Sequence, residues 1–347
     1  MSLTFKKTKI WDNNRYDEII DVRSPGEYFE DHIVGSTNLP VLYDYEREIV
    51  GKIYKNISPF KAKILASSLI TKNVSKHINT HFSSKNGSWR PLIYCWRGGQ
   101  RSKALSIILS QIGWRTTQLG GGYKFYRKEI INKIDKMSQK LNIVLISGKT
   151  GTGKTEIIKK LIENGAQAID LEDLANHKGS LLGRNNDKNQ PTQKYFESLI
   201  YSKLIEFNFK KKVYIEAESS KIGQLHIPKE LWKNMLSSKK IQIKTPIHNR
   251  IKFLLNDYDY MISNDSLFQP LLKGLEQKIS KNLINEWKKY IKNKEWEKLV
   301  KSLLDNHYDP SYKNNFDEKN QKLMKTINLD CIDEKNLIDT AKQILKP

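Results

Sequence analysis

The chain has 347 residues, and its 60 Lys and Arg against 38 Asp and Glu give a formal net charge of +22. The length suggests two domains, and 38% hydrophobic residues with 7 Trp, 16 Tyr and 11 Phe exclude wholesale disorder. No apolar run reaches the length of a transmembrane helix, about 18 residues, and the N-terminus lacks a secretory signal. We therefore expect a cytoplasmic protein without membrane contact. Cys95 and Cys331 lie far apart in unlike contexts, which argues against a disulfide scaffold or a cysteine zinc site.

The basic excess is concentrated in one part of the chain. Residues 49–128 contain 15 Lys and Arg and no Asp or Glu, whereas residues 1–48 contain 10 acidic and 6 basic side chains. A Lys/Asn/Ile-rich compositional bias is the alternative explanation, but such a bias would spread charge evenly. The pattern therefore predicts an electropositive surface around Cys95 and a polyanionic partner.

The first part of the chain alternates strand and helix patterns. Strands are predicted over 16–22, 34–39, 92–94 and 115–119, and helices from about 24, over 58–82 and over 102–112. This alternation is typical of a parallel α/β sheet.

The charged segment 124–140 is predicted to be a helix or linker, and it divides the chain into domains 1–138 and 139–347. In the second domain we expect strands over 143–146, 213–217 and 326–331, and helices over 266–304 and 333–345. The second domain is thus also predicted to be α/β, with a Lys-rich helical part.

A complete phosphate-loop motif, GKTGTGKT, follows the apolar strand pattern at 143–146 and precedes a helix pattern. Glycines let backbone N–H groups point inward, and the helix N-terminus adds its positive dipole. Lys154 would neutralise distal phosphates, and the Thr155 hydroxyl would hold Mg²⁺ if a metal is used. The predicted binding residues are Gly148, Lys149, Thr150, Gly151, Thr152, Gly153, Lys154 and Thr155.

Phosphate chemistry calls for an acidic group near the loop. Glu216 and Glu218 lie two residues apart, which would put them on one face of a strand. For each of them a solvated or salt-bridged carboxylate is an equally good interpretation, and for Asp170 it is the better one.

Cys95 begins the loop CWRGGQRS between a strand and a helix pattern. Loop N–H groups, a helix N-terminus and the neighbouring Arg97 and Arg101 would all favour the thiolate, and no carboxylate lies within 30 residues on either side. We therefore predict Cys95, Arg97 and Arg101 to be catalytic, with Cys95 carrying sulfur or selenium as a persulfide or perselenide. An inert core cysteine is the alternative. Cys331 lies beside Asp330 and Asp333 and is interpreted as structural.

Several segments carry a resemblance to a known family. DVRSPGEY (21–28), DHIVGSTNLP (31–40) and CWRGGQRS (95–102) resemble a rhodanese domain, and a rhodanese domain followed by a P-loop domain resembles the tRNA 2-selenouridine synthases. LANHKGSLLG (174–183), PTQKYFE (191–197), EAESSKIG (216–223) and HYDPSY (307–312) are similar to that family too. The resemblance implies a rhodanese-like parallel-sheet domain followed by a P-loop NTPase-like α/β domain with a helical C-terminal part.

The resemblance also implies a reaction. The 2-thiouridine at the tRNA wobble position would be alkylated by geranyl diphosphate, and selenium from selenophosphate would then displace the S-geranyl group. Cys95 matches the essential rhodanese cysteine, and the phosphate loop would hold the prenyl diphosphate or a nucleotide. Both co-substrates are transient, so no tightly bound cofactor is expected, and the partners would be tRNA and an enzyme that supplies selenophosphate.

Other residues are weaker candidates for substrate contacts. Asn176, His177, Lys178 and Arg184 would contact phosphate or base, with an ordinary surface loop as the equal alternative. Trp96 would stack on a flipped-out base, although packing is the slightly better interpretation. Basic residues and aromatics alternate again over 281–301, and here we favour an amphipathic helix whose Trp287 and Trp296 reach the core.

Two other classes of protein stay open on the sequence. One is a P-loop kinase or NTPase with an accessory sulfurtransferase domain. The other is a non-catalytic tRNA-binding or sulfur-carrier protein.

Overall fold

The computed structural model describes residues 5–178, 189–259, 262, 267–312 and 322–346. The chain forms two compact units, the first made of residues 1–133 and 191–202 and the second of residues 134–190 and 203–347. The units thus divide between residues 133 and 134, where the sequence suggested 138 and 139, and a segment from the later half belongs to the first unit.

The first unit contains a parallel sheet. Its strands are β1 (Lys6–Thr8), β2 (Glu18–Asp21), β3 (Thr37–Asn38), β4 (Pro91–Tyr94) and β5 (Thr117–Leu119). Their order is β1-β5-β4-β2-β3, and all neighbours run parallel. All residues of the central strand β4 are buried, as expected for a strand covered on both faces. Cys95 follows directly, at the carboxyl edge of the sheet.

Helices connect these strands. They are α1 (Pro25–Glu30), α2 (Asp44–Asn56), α3 (Pro59–His77), α4 (Gln100–Ile112) and α5 (Gly122–Ser138). Side chains from β2, β4 and α4 form one hydrophobic core that includes Cys95 itself. The predicted helix 58–82 ends as an α-helix at His77 and continues as a π-turn to Phe82.

The second unit contains a second parallel sheet and a small antiparallel hairpin. Its strands are β6 (Asn142–Ser147), β7 (Gln167–Ile169), β8 (Lys212–Glu216), β9 (Lys221–Ile222), β10 (Leu225–His226), β11 (Lys239–Lys244) and β12 (Leu323–Asn328). The parallel sheet has the order β12-β11-β6-β8-β7, with β6 at its centre, and β9 pairs with β10. The phosphate-loop motif therefore leaves the middle of the sheet.

Helices flank this sheet and form a C-terminal bundle. They are α6 (Lys154–Glu163), α7 (Leu171–Leu174), α9 (Lys229–Ser237), α10 (Ile247–Asp257), α11 (Phe268–Leu275), α12 (Lys281–Lys292), α13 (Trp296–Leu303), α14 (Asp309–Tyr312) and α15 (Glu334–Leu345). The intervening helix α8 (Gln193–Leu204) lies mostly in the segment 191–202, which belongs to the first unit.

The Lys-rich pattern over 266–304 divides into three helices. Ser280 caps α12 by accepting the Leu283 N–H, and Lys294 turns the chain with a φ of +57° before α13. Trp287 is fully buried and donates its indole N–H to Ser302, while Trp296 stacks on Phe268. The expectation that Trp287 reaches the core is confirmed and Trp296 is partly buried, but segment 281–301 forms parts of two helices where one was predicted.

The predicted fold class is confirmed: a parallel-sheet unit precedes a P-loop-like α/β unit with a helical C-terminal part. In the described parts of the chain, no helix combines the length and the apolar character that crossing a bilayer requires.

Candidate functional site

Cys95 lies in a loop whose polar groups converge on its sulfur. The side chain is 3% exposed, and its Sγ accepts the Gly99 backbone N–H at 3.2 Å and the Ser102 hydroxyl at 3.1 Å. Gly99 caps the N-terminus of α4, so the positive end of the helix faces the same atom. The loop thus directs two hydrogen-bond donors and a helix N-terminus at the Cys95 sulfur, and the catalytic role of Cys95 stays a prediction.

Close backbone packing holds this loop against the turn after β5. The Tyr123 N–H donates to Cys95 O at 2.8 Å, and the Lys124 N–H donates to Trp96 O at 2.9 Å. Gly122 has a φ of +57°, and a Cβ there would lie 2.1 Å from Cys95 O. Gly122 therefore allows the turn after β5 to support the Cys95 loop.

The two predicted catalytic arginines are placed differently. Arg97 is exposed, whereas Arg101 is largely buried and donates to both carboxylate oxygens of Glu27, at 2.6 and 3.2 Å. The expectation that no carboxylate lies near this loop is wrong, because Glu27 is distant in sequence but reaches Arg101 from α1. Burial of Glu27 works against ionisation, yet the Arg101 hydrogen bonds lower its pKa overall.

Other ion pairs also reduce the charge of the basic segment. Glu18 pairs with Lys85 at 2.8 Å, and Asp17 pairs with Arg90 at 3.1 Å. In the folded chain, acidic residues of the first 48 positions thus lie beside basic residues of the acid-free segment 49–128. The electropositive surface is smaller than the sequence count implied.

Trp96 is half-buried, and its ring lies 5.2 Å from the ring of Tyr123. This contact agrees with the packing interpretation, and the partial exposure leaves one part of the indole accessible. Stacking on a base stays a prediction.

In the second unit, the glycine loop, residues 148–155, connects β6 to α6. Gly151 and Gly153 have φ of +79° and +76°, values at which side chains are strained. Gly148 approaches β11 so closely that a Cβ would lie 2.9 Å from Ile243 O. The motif's glycines therefore match the backbone that an anion-binding loop requires.

The two residues that end this loop contact carboxylates. Lys154 donates to Gly148 O at 3.0 Å and lies 3.9 Å from Glu218, while the Thr155 hydroxyl donates to Glu172 at 3.0 Å. Glu172 was missed in the sequence. It follows the edge strand β7 by three residues. Because the carboxyl ends of parallel strands meet at one edge of a sheet, the position of Glu172 just after a strand was the signal that could have predicted it.

The acidic candidates divide into distinct roles. Asp170 caps α7 by accepting the Asp173 N–H at 2.8 Å, which agrees with its structural interpretation. Glu216, the last residue of β8, is fully buried and accepts the Glu172 N–H at 2.9 Å. Glu218 lies beyond the strand, so the prediction that it shares a strand face with Glu216 is wrong.

Burial and mutual repulsion make the carboxyl groups near the glycine loop resist ionisation. Burial and the neighbouring Glu218 raise the pKa of Glu172 to about 8, and burial with the adjacent Asp173 carboxylate raises that of Asp170 to about 6. Burial also raises the pKa of Glu216 and of Glu218. The site therefore holds carboxyl groups that can exchange a proton near neutral pH.

A second group of ion pairs supports the glycine loop from outside the motif. Arg250, which is 3% exposed, donates to Thr150 O at 2.8 Å and to both carboxylate oxygens of Asp309 at 2.6 and 3.0 Å. Lys149 completes the group with a 2.8 Å bond to Asp309. Lys149 is thus engaged in holding the loop, whereas Lys154 lies inside the cavity.

These groups border a cavity of about 460 Å³, large enough for a phosphorylated small molecule. Its walls include Lys154, Thr155, Glu172 and Glu218, and on the far side His177 and Lys178.

Two of the weaker candidates are therefore brought to the cavity. His177 is buried, and Lys178 donates to Asp257 at 2.6 Å and lies over the Tyr258 ring. Asn176 instead contacts the backbone of Asn189. Arg184 lies outside the described residues.

A metal ion in this cavity would need several suitable side chains close together. The described portions of the chain hold no group of three or more His, Cys, Asp or Glu side chains suited to a metal ion. The Thr155 hydroxyl and the Glu172 carboxyl are nevertheless the hard oxygen donors that Mg²⁺ takes together with substrate phosphates.

Comparison with known proteins gives two family matches. Residues 6–129 match a model described as "Rhodanese-like domain", and residues 141–277 match one described as "tRNA 2-selenouridine synthase AAA domain". The two matches contain the Cys95 loop and the glycine loop, respectively.

Individual relatives agree with the models. The chain is 35% identical over 243 residues to a tRNA 2-selenouridine synthase of Shewanella frigidimarina, covering 69% of this chain and 65% of that protein. It is 33% identical to the one of Nitrosomonas eutropha, covering 69% and 62%. The alignments thus span slightly less than two thirds of both relatives. The match to the one of Shewanella sediminis is 29% identical and covers 88% of this chain and 89% of that protein.

Proposed function

Because the chain belongs to the tRNA 2-selenouridine synthase family, we propose that it is a transferase that converts 2-thiouridine at the tRNA wobble position to 2-selenouridine. The structure of the chain supports this proposal independently of the relatives' names. A cysteine whose sulfur accepts two hydrogen bonds and a glycine loop beside a cavity occur in one chain, and selenium transfer with a phosphorylated co-substrate needs both.

The proposed route passes through an S-geranyl intermediate. The sulfur of 2-thiouridine attacks the prenyl carbon of geranyl diphosphate, a carbon–sulfur bond forms, and diphosphate leaves. Alkylation turns the sulfur into a leaving group. Selenide released from selenophosphate then attacks C2 of the base, a carbon–selenium bond forms, the carbon–sulfur bond breaks and geranyl thiolate leaves. Both co-substrates are anions, which agrees with the two anion-binding geometries described above.

The glycine loop is proposed to bind the diphosphate of the prenyl donor. Lys154 is directed into the cavity and would balance the negative charge that grows on the leaving diphosphate. Thr155 and Glu172 are the groups that would hold Mg²⁺ with the phosphates. Without a metal, protonated Glu172 would lower the repulsion between the site and an incoming anion, and binding of Mg²⁺ would release that proton.

Cys95 is proposed to release selenide from selenophosphate: its thiolate attacks phosphorus, the phosphorus–selenium bond breaks, and water then cleaves the phosphorus–sulfur bond to give phosphate and the free thiol. Gly99 N–H and the Ser102 hydroxyl would hold the anionic sulfur. Arg97, which is exposed, would contact the incoming selenophosphate or tRNA phosphate, and Arg101 would act from its fixed position on Glu27.

The proposed partners are tRNA and an enzyme that makes selenophosphate, and the proposed compartment is the cytoplasm. The tRNA would supply the polyanion for the basic surface of residues 49–128, and an enzyme that makes selenophosphate would supply selenium. Both steps would take place in the cytoplasm, where mature tRNA is found.

The test is nucleoside mass spectrometry of tRNA from a bacterial strain that makes selenophosphate but lacks its own 2-selenouridine synthase. Expression of the wild-type chain should restore 2-selenouridine. Cys95→Ser and Lys154→Ala should not, although both proteins accumulate. Restoration by both variants would overturn the site assignment, and no restoration by the folded wild-type chain would overturn the function.

A further inference from the structure

The Ser102 hydroxyl beside Cys95 is held by a second buried residue that the sequence did not indicate. Gln118, on β5, is 1% exposed, and its Nε2 donates to Ser102 Oγ at 2.7 Å. The same Nε2 lies 3.3 Å from both Gly98 O and Gly99 O.

The orientation of the Gln118 amide follows from these partners. The two carbonyl oxygens can only accept, so the NH₂ end must face them and the oxygen end must point away. The oxygen end finds no hydrogen-bond partner among the described residues, although it is buried. A buried acceptor without a partner is costly, and here it accompanies an NH₂ group aimed at Ser102.

The Gln118 amide in turn fixes the direction of the Ser102 proton. Ser102 Oγ accepts a hydrogen bond from Gln118, so its own O–H must donate to another acceptor. Two acceptors are within reach, Cys95 Sγ at 3.1 Å and Gly99 O at 3.3 Å. Gly99 O is already approached by Gln118, which leaves the sulfur as the favoured acceptor.

We propose that Gln118 is a positioning residue that turns the Ser102 hydroxyl toward Cys95, so that the sulfur anion has a second donor beside Gly99 N–H. Two donors stabilise an anionic sulfur over the thiol and keep it available as a nucleophile. The inference rests on the proposed role of Cys95, but its test measures thiol chemistry alone and stands if the tRNA reaction fails.

The experiment uses the full chain with Cys331→Ser, so that Cys95 is the remaining thiol. Its alkylation by iodoacetamide is followed from pH 5 to 10 in this background, in Ser102→Ala, in Gln118→Met and in the double variant. Gln111→Met, an exposed glutamine near the C-terminal end of α4, is the matched control.

Ser102→Ala and Gln118→Met should each lower the rate at pH 7 about fivefold, the effect of losing one hydrogen bond of ordinary strength. Each should also move the half-maximal rate to higher pH. The double variant should react like Ser102→Ala, because Gln118 acts through the hydroxyl.

Two results would overturn the proposal: an unshifted pH profile in folded Gln118→Met, or a further about fivefold loss when Gln118→Met is added to Ser102→Ala. If Gln118→Met does not fold, Gln118→Glu takes its place in the cycle. Its carboxylate would accept the Ser102 proton, so the same loss is expected, and an unchanged profile would overturn the proposal.

Discussion

Glu27 accepts hydrogen bonds from both terminal nitrogens of Arg101, at 2.6 and 3.2 Å, across 74 positions of sequence. Glu27 also accepts the N–H of Ser24, the residue that caps α1. The pair therefore ties α1 to the first turn of α4, where the Cys95 loop ends. Arg101 is therefore held in a fixed position at the end of the Cys95 loop.

Glu27→Gln should lower the free energy of unfolding at pH 7 by about 1–3 kcal/mol, because it leaves the largely buried Arg101 without its charged partner. The pKa of Glu27 is lowered in the folded protein, so its contribution is present above the unfolded value and lost as pH falls through the folded value. The difference from wild type should therefore shrink below about pH 4.5. Urea titrations at pH 7 and pH 4 measure it. Glu48→Gln, in the exposed pair with Lys52, should leave stability nearly unchanged at both pH values.

Glu172→Gln should alter the pH dependence of stability in the opposite direction. The pKa of Glu172 is raised to about 8, so between the unfolded value and about 8 the folded protein binds more protons, and its stability falls as pH rises. The Gln side chain imitates the protonated form, so the variant should gain on wild type between pH 5 and pH 8.5, by about 1 kcal/mol or more. Urea titrations of both proteins at these pH values give the comparison. A variant with an unchanged slope would refute the assignment, and Glu163→Gln, at an exposed carboxylate, serves as the control.

Lys154→Ala should weaken binding of geranyl diphosphate by a factor of ten or more, because it removes the cation that the glycine loop itself places in the cavity. Lys149→Ala is the matched variant from the same loop, where the side chain is half exposed and bonded to Asp309. It should weaken binding by a factor of three or less, and calorimetric titration distinguishes the two. Equal losses would mean that geranyl diphosphate is bound by general positive charge and not by the geometry at Lys154.

Replacing Lys55, Lys61 and Lys63 by Gln should weaken tRNA binding strongly, because these exposed residues belong to the acid-free segment 49–128. Each lost phosphate contact reduces the slope of log affinity against log salt by about 0.7–0.9, so the slope should fall by about 2–3. The matched triple change at Lys281, Lys289 and Lys292 should have a smaller effect. A reversed ranking would locate the tRNA surface in the C-terminal bundle.

Short-range signals predicted most of the fold. The apolar run of β4, the period of α4 and the motif around Lys154 depend on neighbouring residues, and each appears in the structure where the pattern placed it. The helix α2 was missed, and so was the strand β11, in which only Ile241 and Ile243 are buried and three of six residues are lysines. Both lack a strong apolar pattern of their own.

The supporting residues of the two sites could not be predicted in this way. Glu27 and Glu172 each reach their partner from another helix, and Gln118 reaches Ser102 from a strand, so each pair forms only when the fold brings distant segments together. A local sequence window contains one side of each pair. The motifs located the reactive residues, and the fold supplied the groups that hold them.

The central claim is tested most directly with purified protein, tRNA carrying 2-thiouridine, geranyl diphosphate and selenophosphate, followed by mass spectrometry of the nucleosides. Geranyl diphosphate alone should give S-geranyl-2-thiouridine, and added selenophosphate should convert it to 2-selenouridine. Unchanged nucleosides, together with ATP hydrolysis that tRNA does not affect, would contradict the account and identify the chain as an NTPase.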